Sequence, residues 1–222
     1  MSEKHEEMNE ALVKVQGFWE KFQKPVLILL AVVVIGGGGW YGYNEYIVKP
    51  KEEKAADMLF TAQQYFNQDS SNLVLNGDGQ YRGVLYVMKN FSGTKAANLC
   101  NYYAGVSYLK LGDFSNAVKY LKDFSTSAKQ IQLMADGCLG DAYSEMGKKD
   151  EAIASYKKAA AVFPEDENNS SEYLFRAALL SEVSGKANEA LELYKEIKEK
   201  FPRTDKGFQA DKYINRLSVT KN

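Results

Sequence analysis

The chain has a single histidine, His5, two cysteines and four prolines among its 222 residues. With its one imidazole in the N-terminal tail, the remainder cannot assemble a histidine-assisted nucleophile, an imidazole acid–base pair or a histidine zinc site. Cys100 and Cys138 have no CxxC spacing. They could pair in an oxidising compartment, but the preferred reading is of two small buried hydrophobes. Nor does charge of either sign prevail: 28 Lys and Arg face 29 Asp and Glu, which leaves no basic footprint for nucleic acid. No phosphate-cradling glycine motif occurs. Carboxylates such as Glu182, Glu189 and Glu192 follow the pattern of solvated helix faces, and Asn76-Gly77-Asp78-Gly79 lacks the alternating ligands of a calcium loop and reads as a plain turn. The chain is therefore expected to be no enzyme, with no catalytic residue, cofactor, metal or small-molecule substrate.

Charge is missing altogether from residues 25–44, PVLILLAVVVIGGGGWYGYN. As a helix these residues would span about 30 Å, the hydrocarbon thickness of a bilayer. The expected membrane anchor starts at Pro25, tolerable in a first helical turn, and ends in Trp40 and Tyr41. Trp19 and Phe22 on one side, with Trp40, Tyr41, Tyr43 and Tyr46 on the other, give two interfacial aromatic girdles. Gly36 to Gly39 would weaken a helix in water, but in lipid the backbone has no other hydrogen-bond partner. Gly38 and Gly42 form a small-xxx-small pair, read as tolerated glycines rather than a helix contact. A cleaved signal peptide, with Val26 to Ile35 as its apolar core, is the competing reading. Residues 1–24 place Met8, Ala11, Leu12, Val15, Phe18, Trp19 and Phe22 on one face, either of a surface-lying helix or of an outward extension of the membrane helix. Lysines flank the apolar run evenly, so orientation rests on other grounds. A short tail commonly stays in the cytoplasm while a long following domain crosses.

The folded part is written in a repeating pattern. In 135–164, ADGCLGDAYSEMGKKDEAIASYKKAAAVFP, Leu139, Gly140 and Tyr143 stripe one helix, Gly147 ends it, Ala152, Tyr156 and Ala159 stripe a second, and Pro164 closes the unit. Gly140 and Ala152 suit the point of closest approach. The pattern recurs upstream at Gly105, Tyr108, Gly112 and Ala117, and downstream at Ala178, Gly185, Ala190, Tyr194 and Pro202. Recurrence in step at three places is the tetratricopeptide signature, so the fold class is all-α: a single N-terminal transmembrane helix followed by a helical-hairpin solenoid. The expected divisions are a tail at 1–24, the span at 25–44, a degenerate first repeat at 51–95, repeats at 98–131, 133–166 and 171–204, and a capping helix at 205–217. In the degenerate repeat Ala55, Met58, Leu59, Ala62 and Phe66 face inward, SNLVLNGDGQ is a turn, and a second helix runs from about Tyr81 to Asn90.

Stacked hairpins offer a groove lined by their first helices. Its expected partner-binding face carries Tyr102, Val106, Asp141, Ser144, Phe175, Leu179 and Glu182, opposite Gly105, Gly140 and Ala178. Tyr102 and Phe175 are candidate anchors there, or are partly covered by the N-terminal helices.

A short tail, one span ending in GGGGWYGY and tetratricopeptide repeats to the C-terminus together resemble the YfgM-type ancillary proteins of the bacterial SecYEG translocon. That resemblance implies an inner-membrane, single-pass protein with periplasmic repeats, near the translocon and a membrane-anchored periplasmic chaperone. A scaffold of another envelope complex, or a secreted adaptor, stays open. In a cytosolic co-chaperone the carboxylate-clamp positions would fall on Tyr102, Val106, Cys138, Glu172 and Arg176, of which only Arg176 suits.

Overall fold

The computed structural model describes the backbone of residues 2–219 and the side chains from Phe18 onward, residue 20 excepted. His5 and the apolar face expected from Met8, Ala11, Leu12 and Val15 lie outside the described side chains. Two compact units divide the chain, Met1–Lys51 and Glu52–Asn222.

In the first unit, helix α1 (Ser2–Tyr43) is followed by a π turn, Asn44–Val48. Pro25 lies inside α1 rather than in its first turn, because the helix extends through the N-terminal tail. The ring has no N–H to give the Lys21 carbonyl one turn back. All four glycines from Gly36 stay helical, and a Cβ on any of them would meet nothing within 4 Å. Leu27 to Leu30 and Val32 to Ile35 are each more than half exposed, and Trp40 and Tyr41 are exposed beyond them. A helix apolar on every side needs an apolar surround. This one is long and apolar enough to cross a membrane.

The second unit takes up helix α2 (Lys49–Asn67) from Glu52 onward, and α2 buries Ala55, Leu59 and Ala62, with Met58 and Phe66 packed at the edge of the same core. The stretch expected to be a turn instead begins with a short helix, α3 (Ser71–Asn76), which buries Val74 and Leu75. The turn itself follows: the Asp78 carboxylate accepts N–H bonds from Gln80 at 2.9 Å and Tyr81 at 2.7 Å, and the Tyr65 hydroxyl donates to it at 2.7 Å. Helix α4 (Val84–Asn90) starts after Gly83, where a Cβ would stand 2.3 Å from the Leu75 carbonyl oxygen. Only glycine allows that approach.

Three hairpins come next: α5 (Lys95–Lys110) with α6 (Phe114–Asp123), α7 (Lys129–Glu145) with α8 (Lys149–Val162), and α9 (Glu167–Val183) with α10 (Ala187–Lys200). Helix α11 (Asp205–Val219) closes the series against α9 and α10. The hairpins turn at Gly112, Gly147 and Gly185, with φ of 79°, 72° and 77°, the left-handed conformation that glycine adopts without a Cβ clash. At each turn the next residue's N–H reaches the carbonyl five residues back, Asp113 to Tyr108, Lys148 to Tyr143 and Lys186 to Ser181. That bond satisfies an otherwise orphaned helix-end carbonyl.

Helices α5 and α9 begin three and four residues earlier than the periodicity suggests, because a capping residue precedes the apolar stripe. Thr94 caps α5 by accepting the Ala97 N–H at 3.0 Å, and Asp166 caps α9 through Asn169. Thr204 does the same for α11, accepting from the Gly207 N–H at 3.1 Å while its hydroxyl donates to the Phe201 carbonyl at 2.9 Å. Thr204 is buried. Replacing it with alanine should lower stability by about 1 to 2 kcal/mol, seen as a lower urea midpoint for the detergent-solubilised chain, with serine recovering most of the loss. An unchanged midpoint would show that the cap contributes nothing.

The core is a succession of clusters: α2 to α5 share one, α5 to α7 a second, and α8 to α11 a third. From α4 onward each helix packs mainly on its sequence neighbours, as a stacked-repeat architecture requires, whereas α3 packs more on α5 than on α4. A Cβ on Gly105 would lie 2.5 Å from Leu121 Cγ, and one on Gly140 would lie 2.5 Å from the Tyr156 ring. Gly140 thus faces Tyr156, where the sequence pattern had paired it with Ala152.

Candidate functional site

The expected groove face lies on α5, α7 and α9, and the structure splits it in two. Tyr102, Val106 and Phe175 are buried and belong to the core. Tyr102 packs against Phe124 and Tyr103, each with centroids 5.5 Å away, while Phe66 of α2 closes over it at 6.4 Å. Phe175 meets Tyr213 of α11 edge-on at 5.0 Å and Tyr194 of α10 at 5.7 Å. Neither ring is a free anchor, since α2 covers one end of the face and α11 the other. Asp141, Ser144, Leu179 and Glu182 remain half-buried at the surface.

Two of these four carry charge, and both are engaged. Asp141 Oδ1 accepts from the Tyr156 hydroxyl at 2.7 Å and from Arg176 Nη1 at 2.8 Å. Arg176 also donates through Nε to Glu172 at 2.9 Å, and Lys206 of α11 reaches the other Glu172 oxygen at 3.2 Å. Glu182 takes both oxygens to Arg216 Nη2, at 2.6 and 2.7 Å, and receives the Tyr194 hydroxyl at 3.3 Å. Partial burial alone would raise the Glu172 carboxyl, but the hydrogen bonds from Arg176 and Lys206 outweigh it and hold the group below its ordinary value. For Arg176 burial works towards a lower value, and Glu172 and Asp141 overcome it, so its charge is fixed. The one clamp position of suitable type is thus already held by two carboxylates of its own chain. Lys206 and Arg216, from the closing helix, were not among the expected site residues. Their signal was the i, i+10 spacing of two cations on one helix, which says nothing of α9 until the helices are packed.

The thiols are governed by burial, which pushes both Cys100 and Cys138 up to about 12 and leaves them protonated and poorly nucleophilic at neutral pH. Both are free cysteines. Among the described residues no group of three or more His, Cys, Asp or Glu could hold a metal ion. The half-buried surface of α7, α9 and α11 therefore offers paired charges, phenol edges and the Leu179 side chain, which is the chemistry of a protein contact.

Residues 100–127 and 172–204 match the tetratricopeptide repeat, as do residues 139–166 by a second description of the same repeat. Those bounds fall on the three hairpins α5–α6, α9–α10 and α7–α8. No curated protein matches the chain. The three hairpins are tetratricopeptide repeats, and repeats of this kind serve as protein–protein interaction scaffolds.

Proposed function

We propose, from a chain that carries three tetratricopeptide repeats behind an uncovered apolar helix, that the protein is a membrane-anchored interaction scaffold of the bacterial envelope. The single observation behind this is the run of exposed apolar side chains from Leu27 to Ile35, which a bilayer would cover. In this reading residues 25–44 span the inner membrane, the N-terminal tail stays in the cytoplasm and the repeats stand in the periplasm. The resemblance to YfgM-type proteins supports a finer assignment, in which the scaffold links the SecYEG translocon to a membrane-anchored periplasmic chaperone.

Topology is tested first. Protease added to intact spheroplasts should digest residues 52–222. Repeats that survive on intact spheroplasts but are degraded after lysis would place the domain in the cytoplasm and end the translocon reading. Mature protein beginning after Gly39 and released by carbonate would instead mark the segment as a signal peptide. The partner is tested by capture from detergent-solubilised membranes, where translocon subunits and a chaperone should be recovered together. Their absence under conditions that preserve the translocon would remove the finer assignment and leave the scaffold.

A further inference from the structure

On the face shared by α5, α7 and α9, one set of polar groups is not used by the molecule itself. Tyr173 of α9 reaches back across α7, where Gly137 leaves it room: a Cβ there would stand 2.4 Å from the phenol oxygen. The Tyr173 ring stacks on Tyr156 at 6.2 Å, with the Arg176 guanidinium 5.5 Å from its centroid. The next residue of α7 is Cys138, which packs beside Tyr102 of α5. Burial first, and then the neighbouring Cys138, pushes both phenols up, and Tyr102 adds to the effect on Tyr173. The three groups therefore share one spot, and all are protonated at neutral pH.

Although the Tyr102 ring is covered, neither phenol oxygen has a hydrogen-bond partner among the described residues. Nor is either sealed from solvent, as the unpartnered Ser107 Oγ, Ser181 Oγ and Asp136 Oδ2 are. Arg176 adds a further donor: Nε is bonded to Glu172 and Nη1 to Asp141, but Nη2 has no partner among the described residues. The charges beside these donors are closed among themselves. Three cations meet three carboxylates, Lys110 holding Asp69, Arg176 holding Asp141 and Glu172, and Lys206 holding Glu172. A carboxylate brought to Nη2 would be the third on one guanidinium, repelled by the two already there, whereas a neutral carbonyl meets no such opposition. The N-terminal end of α5 is no rival site for an anion, since the Glu52 carboxylate already occupies it, accepting the Lys95 N–H at 2.8 Å and the Ala96 N–H at 2.9 Å. Along α7 the same face continues into Met134 and Ile131, one and two turns before Cys138 and 42% and 37% exposed.

We propose that the spot formed by Tyr102, Cys138, Tyr173 and Arg176 binds a main-chain carbonyl of an extended, uncharged partner segment, with an apolar side chain of that segment seated on Met134 and Ile131. The proposal rests on the reading of the chain as a protein-interaction scaffold, and names the kind of partner it takes. A helical partner would not serve, because its carbonyls are already bonded along the helix, whereas an extended chain offers them free. Two phenols, a thiol and one guanidinium edge are donors suited to such an acceptor. With the charges already paired, the contact should be indifferent to salt.

The test uses the full chain in detergent and a pool of short peptides of random uncharged sequence, acetylated and amidated at their ends, with the retained peptides identified by mass spectrometry. Retention should be equal in low and high salt, and Tyr102→Phe and Tyr173→Phe should each lower it about fivefold, the effect of one neutral hydrogen bond. Because neither hydroxyl is bonded within the chain, both variants should unfold at the parental urea midpoint. A lowered midpoint would show the hydroxyls to be used internally, against the proposal. A twin pool with free C-terminal carboxylates examines the charge: stronger retention of that pool, lost in high salt, makes the spot a carboxylate site and overturns the proposal. Retention untouched by both phenylalanine variants places the binding elsewhere and overturns it too, as does a pool that is not retained at all. Capture from detergent-solubilised membranes separates that failure from failure of the scaffold. Proteins recovered with the chain leave the scaffold standing without this site, and none recovered removes both.

Discussion

Replacing Tyr194 by alanine should lower the stability of the repeat unit by about 3 to 5 kcal/mol, the range found when a large buried aromatic is truncated. Tyr194 is the largest of the fully buried side chains. Its ring stacks on Tyr213 of α11 at 4.8 Å and meets Phe175 of α9 edge-on, so one truncation opens a void shared by the last repeat and the closing helix. The hydroxyl adds a second effect through Glu182, which also holds Arg216. Tyr194→Phe isolates that part and should cost about 1 kcal/mol. Urea unfolding of the detergent-solubilised chain provides both numbers, and an alanine variant within 1 kcal/mol of the parent would mean that α11 is not seated as described.

Gly140→Leu should be nearly as damaging, at about 3 kcal/mol, the upper part of the usual range for overpacking. Even the first added carbon would lie 2.5 Å from two carbons of the Tyr156 ring. The ring cannot withdraw freely, because its hydroxyl is bonded to Asp141 and Asp141 is bonded to Arg176 of the next hairpin. Alanine at the same position should cost less, since its better helix propensity offsets part of the clash by roughly 1 kcal/mol. A leucine variant that melts at the parental temperature would refute the close contact.

Much of the fold can be read from the sequence where one residue type is physically required. Gly112, Gly147 and Gly185 occupy left-handed positions that other residues adopt only with strain, so their recurrence sets the hairpins directly. The stripe of Ala117, Ala152 and Ala190 is equally plain, and all three are fully buried. The candidate face was legible in position but not in exposure. Tyr102 and Phe175 sit on the expected helices, yet what covers them is Phe66 from 36 residues upstream of the first and Tyr213 from 38 residues downstream of the second. Helical periodicity says nothing of contacts at that separation. Helix α3 was missed for a related reason: its six residues lie among asparagine, serine and glycine, and the burial of Val74 and Leu75 against α5 outweighs the weak local preference. Capping by Thr94 and Thr204 was within reach, since Phe91 and Phe201 each stand three residues ahead of a threonine.

The Glu52 carboxylate has a mechanical meaning as well. Tension arriving through residue 51 enters the repeat unit along α2, and without a cross-brace it would peel that helix from its neighbours one residue at a time. Two hydrogen bonds to one charged group, at the first residue of the unit, pass the load sideways into α5 before any peeling begins. Helix α5 in turn packs on α3, α4, α6 and α7, so the force is spread across four helices at its point of entry.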